Sequence, residues 1–353
     1  MTKPRPAQVF APPEAGRQTR WRRTAHPIYS RPLSFLGMGV VSALIAVAVL
    51  VGAPDLTVVA GTVRSVASDT APAVTVVPKA TPRVTVPGTV TGAVQWRTQT
   101  YSMKVGGMNR SYVVERPAVT PPSGLPVVVE LGGCCTTVSV EIARADFQQV
   151  TNSAIVVYPE YVDGNWNAGA CCGTPATSHV DDVAFVNAVI SAVQAGQPDA
   201  SSGPVFLAGY SNGGKLALMM ACQEPGAFAG VAVYGATRTS DCANPGAESL
   251  LEMVGSADPG TAISGKPVVQ NDYTEPTVEQ IVSDYRAADG CAPTASRTVT
   301  AGVATETVWT QCAGDHSVGV VVYQGDSHTW PETSGATPSA QQMMWNFFGS
   351  LGA

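Results

Sequence analysis

Ser211 stands in the run Gly209-Tyr210-Ser211-Asn212-Gly213. The apolar segment Val205-Phe206-Leu207-Ala208 comes directly before it, and Lys215-Leu216-Ala217-Leu218-Met219-Met220-Ala221, of helix-forming composition, comes after. Strand, sharp turn and helix around G-x-S-x-G present a serine hydroxyl as a nucleophile, and the flanking glycines leave room where strand and helix cross. A serine hydroxyl is a weak nucleophile at neutral pH, so it needs a histidine to take its proton and an acid to orient that histidine. Four histidines are available. His26 lies in the basic N-terminal stretch, His179 at a helix start and His316 just before a strand. His328, in Gly325-Asp326-Ser327-His328-Thr329-Trp330-Pro331, follows a strand near the C-terminal end and is the candidate base. The acid is expected between serine and histidine, at the end of a strand. Asp258 fits, after Leu251-Glu252-Met253-Val254-Gly255-Ser256-Ala257 and before the turn-forming Pro259-Gly260, whereas Asp241, Asp272 and Asp284 do not directly follow an apolar strand. Acyl transfer through such a set also needs amide donors for the oxyanion. Asn212, after the nucleophile, supplies one, and the loop Gly132-Gly133-Cys134-Cys135 supplies the other near Cys134. Trp166, Tyr210 and Trp330 are candidate pocket residues, able to stack on an aromatic acid or a sugar ring.

The elements that must hold these residues are legible as alternating strands and helices. Residues 97–105 and 110–115 alternate about Gly106-Gly107-Met108-Asn109 and read as an opening hairpin. Buried strands are expected at 126–131 and 154–159, with a helix over 140–150 between them. Ser178-His179-Val180-Asp181 has the form of a capping box before a helix whose apolar face is Val180, Phe185, Val186, Val189, Ile190 and Val193. After the turn at Ser211, strands are expected at 230–234, 250–254 and 319–323, and helices at 278–287 and 341–348. This order predicts an α/β domain with a mostly parallel sheet covered by helices on both faces.

The 353-residue chain is not uniform. Residues 33–51 are almost continuously apolar, and no charge falls between Arg31 and Asp55, which is the length and composition of a bilayer span. Seven basic residues against Glu14 precede it, an orientation that keeps residues 1–31 in the cytoplasm and exports the rest. The reading is therefore a basic tail (1–31), an anchor or signal segment (32–54), a Val/Thr/Pro-rich linker (55–94) and a catalytic domain (95–353). Cell-membrane attachment with the domain outside is expected, or secretion if the segment is cleaved. Of the chain's 20 basic and 26 acidic residues, removing that tail leaves 13 and 25. So acidic an exported part argues against nucleic acid as a partner.

All eight cysteines, 134, 135, 171, 172, 222, 242, 291 and 312, lie beyond the apolar segment, which points to disulfides. Cys291 with Cys312 and Cys222 with Cys242 are the expected pairs, leaving Cys134-Cys135 to join Cys171-Cys172. Adjacent cysteines lack the spacing of a zinc site, so no metal and no cofactor is expected.

The residues together resemble the serine esterases that include polyhydroxybutyrate depolymerase-type enzymes, feruloyl esterases and acetylxylan esterases of the α/β-hydrolase fold. The likeness runs from about Arg97 to Pro331. It rests on the run from Pro126 to Cys134, Tyr158-Pro159 with Trp166-Asn167-Ala168-Gly169, Val180-Asp181-Asp182-Val183, Gly209 to Gly213, Gly255-Ser256-Ala257-Asp258 and His328-Thr329-Trp330-Pro331. One departure is Gly132-Gly133, where the family usually has His-Gly. The resemblance implies an exported esterase acting through Ser211, Asp258 and His328 on feruloyl, acetyl-polysaccharide or hydroxyalkanoate esters. An envelope acyltransferase with the same three residues, or a membrane-tethered binding domain on this fold, are the alternatives.

Overall fold

The computed structural model describes residues 77–79, 95–119, 124–196, 203–246 and 248–353. The segment 33–51 lies outside them. Among the described residues no helix is long and apolar enough to cross a membrane.

A short strand β1 (Val77–Lys79), inside the stretch read as linker, pairs antiparallel with β2 (Trp96–Val105), which turns into β3 (Met108–Pro117). Next come β4 (Val127–Leu131), α1 (Val138–Ala145), β5 (Ile155–Pro159), α2 (Gly173–Thr177) and α3 (Asp182–Gly196). They are followed by β6 (Val205–Tyr210), α4 (Asn212–Gln223), β7 (Gly230–Tyr234) and β8 (Ser249–Gly255). A two-stranded ribbon, β9 (Val269–Gln270) with β10 (Tyr273–Thr274), precedes α5 (Val278–Ala288). The chain ends with β11 (Arg297–Ala301), β12 (Ala304–Trp309), β13 (Val318–Tyr323) and α6 (Ala340–Ser350).

Eleven strands form one sheet in the order β1-β2-β3-β5-β4-β6-β7-β8-β13-β12-β11. The six from β5 to β13 run parallel, and antiparallel strands close both ends. Strands β4, β5, β7 and β8 bury every residue, as strands covered on both faces must. On one face Phe185, Val189, Leu216, Met220, Ile281 and Tyr285 pack from α3, α4 and α5. On the other, Phe147, Met344, Phe347 and Phe348 cover the sheet. This architecture and its strand-turn-helix at Ser211 are those of the α/β-hydrolase fold.

Two local expectations change. The helix expected over 140–150 stops at Ala145, where Asp146 takes φ +28° and a 3-10 turn, Phe147–Gln149, follows. The cap of α3 is Asp181, not Ser178: its Oδ1 accepts from the Ala184 amide at 2.9 Å, while Ser178 ends α2 and His179 turns the chain at φ +53°. The bonds Cys222–Cys242 and Cys291–Cys312 are present. The expected link between the two adjacent pairs is not. Cys171 is bonded to Cys172, while Cys134 and Cys135 are thiols 2.8 Å apart. Cys171 is enclosed beside Asn212, Cys172 and Cys134 are half-buried, and Cys135 faces solvent.

Candidate active site

The chain leaves β4 toward β5 on one side and β6 toward β7 and β8 on the other. The carboxyl ends of β4 and β6 therefore flank the crevice where such sheets receive ligands. Ser211 follows β6 directly, at φ +51° and ψ −120°, a backbone conformation that a non-glycine residue keeps only when its surroundings hold it. Its amide donates to the Tyr234 carbonyl at 2.9 Å and its carbonyl accepts from Lys215 at 3.0 Å, so strand β7 and helix α4 grip it from both sides. The neighbouring Gly213 lies against β4: a Cβ there would stand 1.9 Å from the Leu131 carbonyl oxygen. Only glycine permits that approach.

Loops after β8 and β13, adjacent parallel strands, bring Asp258 and His328 to the serine. His328 Nε2 is 2.7 Å from Ser211 Oγ, and His328 Nδ1 is 2.7 Å from Asp258 Oδ2. The Asp258 side chain is enclosed, while about a third of the His328 ring, 34%, remains open to solvent. Burial pushes the Asp258 carboxyl up, but hydrogen bonds from His328, the Gly260 amide and Thr261 outweigh it and hold the group below its ordinary value. Two tyrosine hydroxyls secure the histidine loop, Tyr210 donating to the His328 carbonyl at 2.7 Å and Tyr234 to that of Ser327 at 2.9 Å. An imidazole between a hydroxyl and an enclosed carboxylate can remove the hydroxyl proton and be stabilised when charged.

The loop after β4 faces this array. Asn212, buried at the start of α4, clamps the backbone of Trp166 from both sides: its Oδ1 accepts from the Trp166 amide at 2.7 Å, and its Nδ2 donates to the Trp166 carbonyl at 3.1 Å. The Trp166 indole in turn donates to the Gly132 carbonyl at 3.0 Å. Asn167 is tied to Asp182, which pairs with buried Arg110 on β3 at 2.8 Å. Trp166 is fully buried, and Trp330 is nearly so, its indole donating to Gln341 Oε1 at 3.0 Å. Both are thus part of the framework and do not line an open pocket as expected. Of the three candidate pocket residues only Tyr210 keeps an open surface, and its ring stacks on His328.

The other sequence candidates fall elsewhere. His316 pairs with Asp289, Asp284 pairs with Arg238, and Asp272 sits in the turn between β9 and β10. Glu141, Arg144, Tyr161 and Tyr234 gather round the site without any local sequence signal. Glu141 and Arg144 reach it from α1, Tyr161 from the loop after β5 and Tyr234 from the end of β7, a relation that spacing along the chain does not record.

No family model matches the chain. It is 28% identical over 250 residues to a protein of Nocardia uniformis subsp. tsuyamanensis named "Putative esterase NocK", a match spanning 64% of this chain and 72% of that one. Among solved structures it is similar to an acetyl xylan esterase from Aspergillus awamori, at 16% identity over 68% of this chain and 94% of that one, TM-score 0.49. It is also similar to an S-formylglutathione hydrolase from Agrobacterium tumefaciens, at 14% identity over 68% and 91%, TM-score 0.45.

Proposed function

We propose that the protein is a serine esterase that hydrolyses carboxylic esters through an acyl-enzyme on Ser211. The observation that carries the reading is the continuous Ser211–His328–Asp258 array, with two 2.7 Å contacts, at the carboxyl end of a parallel sheet. Similarity in sequence to a protein named as an esterase supports it.

In this reading Ser211 Oγ attacks the ester carbonyl as His328 Nε2 takes its proton, and enclosed Asp258 stabilises the imidazolium without itself becoming protonated. The amides of Asn212 and Cys134 receive the negative oxygen. Collapse of the intermediate expels the alcohol, which takes the proton from His328. Water then attacks the acyl-enzyme with His328 again as base, and the acid leaves. The substrates proposed are feruloyl, acetyl-polysaccharide or hydroxyalkanoate esters. The 33–51 segment, as a membrane anchor or a cleaved signal, is proposed to deliver the acidic domain to the cell exterior.

A fluorophosphonate probe tests the nucleophile. Phosphonylation of Ser211, located by peptide mapping and absent in S211A, is the expected result; an unlabelled wild-type protein, or label on another residue, overturns it.

A further inference from the structure

Helix α1 sends one acidic side chain, Glu141, beneath the loop that follows β4. It is 3% exposed and occupies the volume that a side chain at position 132 would need: a Cβ on Gly132 would stand 2.3 Å from Glu141 Cγ. Its carboxylate accepts hydrogen bonds from the Gly133 amide and from Arg144 Nη1, the latter at 2.8 Å. The Gly132 carbonyl is held from the other side by the Trp166 indole. A single peptide unit is thus gripped at both its oxygen and its nitrogen. Two residues beyond Gly133, the Cys135 amide donates to the Gly164 carbonyl at 2.8 Å. The amide between these two committed donors is that of Cys134.

We infer that Glu141 is a positioning residue for the esterase reaction: seated by Arg144, its carboxylate fixes the Gly132–Gly133 peptide so that the Cys134 amide is aimed at the acyl oxygen. The inference rests on the esterase reading above.

Filling space does not account for a carboxylate here. Glu141 Oε1 is buried without a partner, and its carboxyl lies close enough to the fully buried Glu130 on β4 to disfavour that acid's ionisation. An apolar side chain of similar volume would avoid that cost, leaving Arg144, which reaches solvent, without its carboxylate. What it cannot do is accept from the Gly133 amide. Beyond Arg144 on its own helix, the groups facing Glu141 are Glu130 from β4, Cys134 in the loop, Tyr161 after β5 and Tyr210 at the end of β6. Arg144 is the cation among them; it also lies over the Tyr210 ring, 4.7 Å from its centre. Burial pushes the Glu141 carboxyl up to about 7, against the pull of Arg144 and the Gly133 amide, so removing the Arg144 charge drives it higher still.

The test compares full-length wild type with E141M, E141Q and R144M. It reads kcat and KM for p-nitrophenyl acetate from pH 5 to 9, the affinity for an aryl trifluoromethyl ketone that forms an oxyanion adduct, and Tm. E141M is expected to lose roughly ten- to a hundredfold in kcat with KM little changed, because a donor displaced by about 1 Å forfeits much of its effect. Its affinity for the ketone falls by a similar factor. E141Q, which keeps an acceptor, recovers most of the loss. In R144M, which removes the cation that seats the carboxylate, kcat and ketone affinity fall across the whole pH range with KM little changed. Active wild type with unchanged kcat and ketone affinity in E141M, or an R144M profile that superimposes on wild type, overturns the assignment alone; the R144M profile decides if E141M does not fold. Wild type that neither turns over the ester nor reacts at Ser211 overturns the esterase reading and this assignment with it.

Discussion

At the scale of single residues, the Asp258 carboxylate holds His328 Nδ1 at 2.7 Å and donates nothing itself. An amide in its place keeps the shape but turns an N–H toward the ring and favours the wrong tautomer. D258N is therefore expected to lower kcat by about 10⁴-fold while leaving KM and Tm near wild type; a loss below tenfold would mean that Asp258 is a turn residue only. The meeting of the Ser211, Asp258 and His328 side chains was legible in the sequence because each follows a strand beside its own turn residues. Trp166 was legible as important and misassigned in role. An aromatic residue near a loop looks the same in sequence whether it faces a ligand or a backbone carbonyl, and only its enclosure beside Gly132 distinguishes the two. Glu141 gave no signal, since its partner is an amide in a loop that a separate strand delivers.

Among the elements, the junction of β6 and α4 carries the tightest constraint. Helix α4 starts directly against β4, and Gly213 is the point of contact. G213A is predicted to destabilise the protein by about 1–3 kcal/mol, the usual range for overpacking, and to displace Ser211 enough to depress kcat. Urea unfolding beside ester turnover checks both; wild-type stability together with wild-type kcat would contradict the packing argument. Most strands and the later helices were readable from apolar runs and turn residues. The early break in α1 was not, because Asp146 at φ +28° adjoins Phe147, whose burial against the sheet ends the helix one turn sooner than the local pattern implies.

Across the whole molecule, buried carboxyls set the dependence of stability on pH. Burial pushes Glu248 up to about 7 despite the Gly226 amide and Tyr285 hydroxyl that it accepts from, and Glu141 likewise reaches about 7. An unfolded glutamate titrates at about 4.3, so between there and about 7 the native state holds protons that the unfolded chain has released. Stability therefore falls as pH rises through that window. Glu130 and Glu252, both fully buried and raised well above the ordinary value, act in the same direction. Asp258, held low, acts only in stronger acid. Tm is expected to drop between pH 5 and pH 8 and to drop less in E248Q; a Tm that rises over this range would contradict the burial of these acids. The Cys222–Cys242 bond, closing a separation of 20 residues, is expected to contribute about 3 kcal/mol, read as the loss in urea unfolding of C222A/C242A. Pairing between distant cysteines was partly legible from their spacing, whereas the bond within Cys171-Cys172 and the two thiols at Cys134-Cys135 were not. The central claim is that Ser211 attacks an ester carbonyl. Hydrolysis of p-nitrophenyl acetate and methyl ferulate by the full-length protein, beside S211A, tests it most directly. Turnover by wild type that disappears in S211A is the predicted result, and turnover that survives in S211A would contradict the account.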